Sequence, residues 1–187
     1  MQTLGFSLFN TSLGDCAVAW SAAGVTGVQL PEADADVTRA RMHGRFAGAP
    51  ECLAPGTVQQ AMRDIAALLD GDHNDLLHIA LDLDGVGDFQ RRVYALARAI
   101  APGQTRTYGE LAQALGEPGA ARAVGQALGH NPYAPVVPCH RILAAHGRSG
   151  GFSASGGVAT KLRMLLIEQA QFGAPGLFDC APSGDGS

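Results

Sequence analysis

The sequence predicts an α+β fold in which a small N-terminal lobe of strands and helices, residues 1–86, precedes a helical unit over 87–171 that contains a helix-turn-helix. Three observations predict it. Apolar runs broken by glycine fill the first thirty residues, apolar spacings of three and four take over from Asp88, and a Gly-Glu-Pro turn separates two short helical stretches. A chain of 187 residues with 47% hydrophobic content can bury a sizeable core, and its length suits one body made of two lobes.

"LGFSLF", "CAVAW" and "GVQL" read as short strands of an antiparallel meander, with "NTSLGD" and "SAAGVTG" as its turns. "DADVTRARMHGRF" and "TVQQAMRDIAALLDG" read as helices. In the second, Val58, Met62, Ile65 and Leu68 or Leu69 recur at helical spacing, and a glycine follows its end. "LLHIALDLD" reads as a further strand. Asp88 can cap the next helix, whose apolar stripe is Phe89, Val93, Leu96 or Ala97, and Ile100. "TYGELAQAL" and "PGAARAVGQALGH" form the helix pair. "NPYAPVVP" is expected to be extended, because each proline disfavours helix at the residue before it. A last helix runs from Val158 to about Ala170 with Val158, Leu162, Leu165 and Leu166 as its stripe, and residues 172–187 read as a flexible tail.

Composition narrows the function classes. Cys16, Cys52, Cys139 and Cys180 lie far apart and the histidines form no compact cluster with them, so reduced thiols are expected, with no metal and no cofactor. No apolar run approaches the roughly 18 residues of a membrane span, and "MQTLGFSLFNTSLGD" has no basic leader pattern, so the expected location is cytoplasmic, with no membrane partner. Charge is unevenly placed. Residues 1–88 carry 4 arginines against 12 acids, a net −8, whereas 89–187 carry 9 basic residues against 5 acids, a net +4. The second half is therefore the side suited to a polyanion.

The chemistry concentrates in "PVVPCHRIL". A free thiol with pKa ~8.5 is only a few per cent thiolate at neutral pH, so a nucleophilic Cys139 needs a base or positive neighbours. His140 and Arg141 are of the right types. Consecutive side chains of an extended segment point to opposite faces, however, so either the chain turns at Pro138 or a water bridges thiol and imidazole. Glu168 extends the stripe of the last helix, where a carboxylate is costly unless paired. Pairing with His140 would complete a Cys-His-Glu relay; on its own, an exposed glutamate at the stripe's edge is the simpler reading. "GAARAVGQALG" has Arg122 and Gln126 as its only long polar side chains. Its backbone can approach a nucleic-acid groove closely while reading few bases, although small residues also suit close helix packing.

Taken together, "FQRRV", "GQTRTYGELA", "ARAVGQALGHNP", "VVPCHRIL" and "GGVATKLRMLLIE", in this order from Phe89 to Glu168, resemble the O6-alkylguanine-DNA alkyltransferases. The resemblance implies an RNase H-like N-terminal lobe and direct-reversal repair of double-stranded DNA by a monomer, without a cofactor. Cys139 would accept an alkyl group from O6 of guanine, with O4 of thymine as a further candidate. His140 would act as base through a water with Glu168 behind it, Tyr108 would protonate the leaving base, and Asn131 would tie the recognition helix to the active-site turn. Arg122 would take the place of an extruded nucleotide, with Ala121, Ala123, Gly125 and Gln126 beside it in the minor groove. Ile142, Ser153, Ser155 and Lys161 would form the substrate pocket, Lys161 next to Tyr108, and Arg141 would hold the turn. The loop "GGFSASGG" is longer than in many relatives and has Phe152 where tyrosine is common, which leaves open whether Ser153 or Ser155 contacts the base.

Two rivals follow from the same residues. A lesion-binding relative without repair activity would replace the reactive cysteine, which is present here. A Cys-His-Glu hydrolase would need an oxyanion site, for which the sequence offers no sign.

Overall fold

The computed structural model describes residues 2–145, 151–152 and 154–170. The N-terminal apolar runs become an antiparallel meander of β1 (Gly5–Thr11), β2 (Gly14–Ser21) and β3 (Gly24–Gln29), in that spatial order. Alternation sorts its two faces. Cys16, Val18 and Trp20 of β2 enter the main core, while Ala17 and Ala19 pack with Phe6, Met42 and Ala49 on the opposite side. α1 (Ala35–Arg45) supplies Met42 and starts where the Asp34 carboxylate accepts the Val37 N–H at 2.8 Å. α2 (Gly56–Leu69) lays Val58, Ala61, Ile65, Leu68 and Leu69 into the main core.

The expected strand "LLHIALDLD" is not one. The segment touches β3 at a single parallel bridge, Val25 to Leu81, with Val25 N–H donating to Ala80 C=O at 2.9 Å and Asp82 N–H to Val25 C=O at 2.8 Å. Elsewhere its carbonyls are diverted. The Arg98 guanidinium collects those of Leu76, Leu77 and Ile79 at 2.7–3.0 Å, so they are not free to build a ladder. Gly24 makes the crossing possible: its φ is +145°, and a Cβ there would strike the Ala80 carbonyl.

α3 (Asp88–Arg98) buries Val93, Tyr94 and Ala97, with Ile100 just beyond its end. Its cap is Gly87 rather than Asp88, which is the first helical residue and sits at the positive end of the helix dipole. β4 (Arg106–Thr107) leads into α4 (Tyr108–Ala114), whose start is a capping box: Glu110 N–H donates to Thr107 Oγ1 at 3.1 Å, and Thr107 N–H to Glu110 Oε2 at 2.5 Å. α5 (Ala121–Gly129) packs on α3 and α4.

"NPYAPVVP" is not extended either. It folds back on itself with Val137 N–H donating to Tyr133 C=O at 3.1 Å, and the Ala134–Pro135 peptide is cis. Proline bars helix but fits a turn as well as a strand. Here Asn131 closes the turn, its amide donating to Val137 C=O at 2.7 Å and its carbonyl oxygen accepting Tyr133 N–H at 2.9 Å. A 3-10 turn at Cys139–Arg141 then enters β5 (Ile142–Leu143), which pairs in parallel with β4.

α6 (Gly157–Ile167) ends at Glu168, its C-cap, and turns a different face inward from the expected stripe. Lys161, Met164, Leu165 and Glu168 are buried, Leu162 is half-buried, and Val158 and Leu166 are exposed. The inward face carries two ionisable groups because each meets a partner inside the fold, as detailed below. No helix among the described residues is long and apolar enough to cross a membrane.

Candidate active site

Cys139 opens the 3-10 turn directly after Pro138, so the chain does turn at that proline. Its side of the turn faces a cavity of about 600 Å³ whose walls include Tyr108 at the start of α4, Arg122, Gly125 and Gln126 of α5, and Phe152. Cys139 is 7% exposed, and it lines that cavity. Burial pushes its thiol pKa up; a hydrogen bond from Asn131 and the positive charge of Lys161 pull the other way.

The His140 ring is completely buried. Its Nε2 lies 2.8 Å from Glu168 Oε1, and its buried Nδ1 has no hydrogen-bond partner among the described residues. Burial lowers the His140 pKa even though Glu168 opposes the shift, so the imidazole is neutral at pH 7. With an ionised carboxylate as acceptor, Nε2 carries the proton and the lone pair is left on Nδ1. The thiol and imidazole are therefore not directly bonded, and the free Nδ1 lone pair is the site where a bridging water would attach.

Glu168 is the hub of this cluster. Arg141 grips it in bidentate fashion, Nε donating to Oε2 at 2.9 Å and Nη2 to Oε1 at 2.8 Å, while Nη1 donates to Ile100 C=O at 2.6 Å. The Gly103 N–H adds a longer bond to Oε2 at 3.4 Å. Burial alone would raise the carboxyl pKa, but the hydrogen bonds and charges of His140 and Arg141 outweigh it and carry it down to about 2. Glu168 is only 4% exposed, which rules out the solvent-edge reading.

Lys161 is buried without exposure and donates to Ile142 C=O at 2.6 Å; its Nζ stands 5.9 Å from the centre of the Tyr108 ring. Burial lowers its pKa to about 8, against the attraction of the Cys139 sulfur. Burial also raises the pKa of the half-buried Tyr108.

The fold thus brings Cys139, His140, Glu168, Tyr108, Asn131 and Lys161 together and sets Ala121, Arg122, Gly125 and Gln126 along the cavity. Ala123 is half-buried and does not line it. Two residues expected along the substrate pocket, Ile142 and Lys161, stand behind it: both are fully buried, and their link is the amine-to-carbonyl bond. Ser155 lines a second cavity that meets the first at Cys139, and Ser153 lies outside the described residues. Sequence reasoning missed the Arg141–Glu168 pair and the backbone groups of Ile100 and Gly103 that finish the cluster. Main-chain partners leave no trace in residue type.

The 6-O-methylguanine DNA methyltransferase DNA-binding domain model matches residues 88–170. The methylated-DNA–protein-cysteine methyltransferase of Mycobacterium tuberculosis is 43% identical over 117 residues, 63% of this chain and 68% of the relative. That of Methanothermobacter thermautotrophicus is 33% identical over 154 residues, covering 82% of this chain and 79% of the relative. Among solved structures, Mycobacterium tuberculosis OGT in complex with DNA superimposes with a TM-score of 0.71 at 33% identity, over 91% of this chain and 96% of that one. The chain belongs to the methylated-DNA–protein-cysteine methyltransferase family.

Proposed function

We propose that the protein repairs double-stranded DNA by direct reversal, moving an alkyl group from O6 of guanine, and from O4 of thymine where that lesion occurs, to Cys139 Sγ. The observation that carries the reading is the buried thiol lining a cavity beside a neutral imidazole whose far nitrogen is held by an ionised glutamate. On this reading the thiol proton passes through a water to His140 Nδ1, Sγ attacks the alkyl carbon in line, and the C–O6 bond breaks with its electron pair on guanine. Tyr108 protonates the leaving base and recovers a proton as His140 gives one up to water, so the net change moves one proton from thiol to guanine. The product is a thioether with no hydrolysable acyl carbon, and each molecule acts once.

α4 and α5 serve as a helix-turn-helix, with the small residues Ala121, Ala123 and Gly125 letting the α5 backbone approach the minor groove and Gln126 beside them. Arg122, exposed at the cavity wall, fills the space of the extruded nucleotide. An alkylated guanine pairs poorly and costs less to extrude than a sound base. Asn131 links α5 to the Cys139 turn through its bond to Val137. Arg141 holds the turn through Glu168 and Ile100. The N-terminal lobe is RNase H-like in this reading and supports the site, and the protein works as a cytoplasmic monomer.

Intact-mass measurement after incubation with a duplex carrying O6-methylguanine tests it. One methyl gained per protein, saturating at one equivalent and absent in Cys139→Ala, is expected. Tight lesion binding with unchanged mass, or continuing turnover, would overturn it.

A further inference from the structure

The N-terminal lobe grips the turn that carries Cys139 just after Asn131. Pro132 C=O accepts two donors from that lobe, the Val28 N–H of β3 at 2.8 Å and Arg45 Nη2 of α1 at 3.3 Å. One residue on, the Tyr133 hydroxyl donates to Asp82 C=O at 2.5 Å, and the Asp82 N–H is tied to Val25 C=O of β3 at 2.8 Å. Arg45 stands in the last turn of α1, yet it does not point into water. It crosses β3, where Nη1 donates to Val28 C=O at 3.0 Å and to Gln29 Oε1 at 2.8 Å before Nη2 goes on to Pro132. Gly27 leaves the room for this crossing: a Cβ there would stand 2.9 Å from Arg45 Nη2 and 2.7 Å from the Phe46 ring. These three acceptors are neutral, and burial, followed by the like charge of Arg41, lowers the Arg45 pKa. A guanidinium drawn partly out of water towards neutral groups gains no counter-charge, so its place is explained by what it holds.

What it holds is one edge of a rigid plate. Pro132 C=O and Tyr133 N–H belong to the same planar peptide. The carbonyl edge is fixed by Val28 and Arg45, and the opposite N–H donates to Asn131 Oδ1 at 2.9 Å. That bond orients the Asn131 amide, whose nitrogen has two hydrogens. One goes to Val137 C=O at 2.7 Å, and the other is free to serve the Cys139 thiol, to which Asn131 is hydrogen-bonded. A hydrogen bond donated to sulfur favours the thiolate, the form that attacks, and weakens steeply when its angle is lost. We infer that Arg45 is a positioning residue for alkyl transfer: by fixing Pro132 against β3 it aims the Asn131 amide at Cys139 Sγ, so that the N-terminal lobe sets the reactivity of the thiol. Arg45 does not line the cavity walled by Tyr108 and Arg122, and it acts without touching the base. The link to alkyl transfer rests on the reading above.

The test follows Cys139 in the full chain by peptide mass. O6-methylguanine, as the free base and within a duplex, reports alkyl uptake, and iodoacetamide applied across a pH series reports the thiol itself. Arg45→Met keeps the stem and its packing while removing the donors. Uptake at pH 7 is expected to slow about three- to ten-fold for free base and duplex alike, and the iodoacetamide profile of Cys139 to move up by about half to one pH unit. The ionisable neighbours of the thiol, Tyr94, Tyr108, His140 and Lys161, stay as they are in this variant. On an Asn131→Ala background the same change should add less than about two-fold, because the route is already cut. A lower unfolding midpoint with unchanged uptake and profile would leave Arg45 a purely structural role and overturn the inference. Full additivity with Asn131→Ala would overturn it too, as would slowing confined to the duplex, which would assign Arg45 to DNA. Arg45→Gln, two bonds shorter, is held to the same outcomes if the methionine variant does not fold. Failure of the unaltered protein to take up methyl would strike the alkyl-transfer reading, while the iodoacetamide profiles would still decide whether Arg45 acts on the thiol.

Discussion

The N-terminal meander and the turn before β5 each bury a cysteine, and they treat it in opposite ways. Cys16 on β2 has no exposure, and its Sγ stands 3.7 Å from Thr11 Oγ1. Burial pushes its pKa up to about 12, with Asp15 adding to the rise against the Thr11 contact, so this thiol is inert at any physiological pH. Cys139 is nearly as buried, yet Asn131 and Lys161 offset part of the same penalty, and a cavity reaches it. The contrast extends to the surroundings. Buried polar side chains of β1 to α1 are uncharged, namely Thr11, Ser21, Gln29 and Thr38, whereas His140, Arg141, Lys161 and Glu168 put four ionisable groups around the second thiol. Burying charge is costly, so its concentration at one thiol marks where the fold accepts instability in exchange for reactivity.

Breaking that charged cluster should give the largest effect. Glu168→Ala leaves Arg141 and His140 buried without their shared acceptor and is expected to destabilise the protein by ~3–5 kcal/mol, read by denaturant unfolding. Glu168→Gln keeps part of the hydrogen bonding and should cost less. A Glu168→Ala protein within about 1 kcal/mol of the unaltered one would show that the cluster is not held by its carboxylate.

Acid should find the same weakness. The folded Glu168 pKa lies near 2, below the ordinary 4.5, so in this window the unfolded chain binds more protons. Stability contributed by Glu168 is full above the ordinary value and is lost as pH falls towards 2, on the order of 3 kcal/mol in all. His140, whose pKa is lowered by burial, works in the same sense as pH falls below its ordinary 6.5. Unfolding midpoints measured between pH 7 and 3 check this, and the slope should flatten in Glu168→Gln.

Lys161→Met sharpens the comparison from the side of reactivity. Without the ammonium, alkyl uptake at pH 7 is expected to slow about ten-fold, an effect of ~1.4 kcal/mol. Because the Lys161 pKa is about 8, the unaltered protein loses this charge as pH rises past that value, and the gap between the two proteins should narrow there. A gap that is constant from pH 6 to 9 would mean that Lys161 acts by packing rather than by charge.

How far the sequence could carry this picture depended on what each residue had to meet. The meander, α1 to α5, and Glu168 behind His140 all follow from periodicity or ordered motifs whose partners are local or recurrent. "LLHIALDLD" misled because its apolar alternation is that of a strand, while its carbonyls belong to Arg98, some twenty residues away in sequence. The α6 stripe misled because periodicity takes the buried face to be the apolar one. Here Lys161 and Glu168 face inward, for Ile142 C=O and Arg141, and Leu166 is left 68% exposed. "NPYAPVVP" could have been strand or turn until the Asn131 side chain closed it.

The smallest effect is expected at the inert thiol, and it is the one that isolates the comparison. Cys16→Ala removes one sulfur from an apolar wall formed with Val18 and Trp20, and should cost about 1 kcal/mol in unfolding while leaving alkyl uptake at one equivalent with an unchanged rate. Iodoacetamide should likewise modify the exposed Cys52 and leave Cys16 untouched in the folded protein. If Cys16→Ala lowered the methyl stoichiometry, burial in an apolar wall would not be enough to silence a thiol. The charged groups around Cys139 would then have to be explained by something other than reactivity.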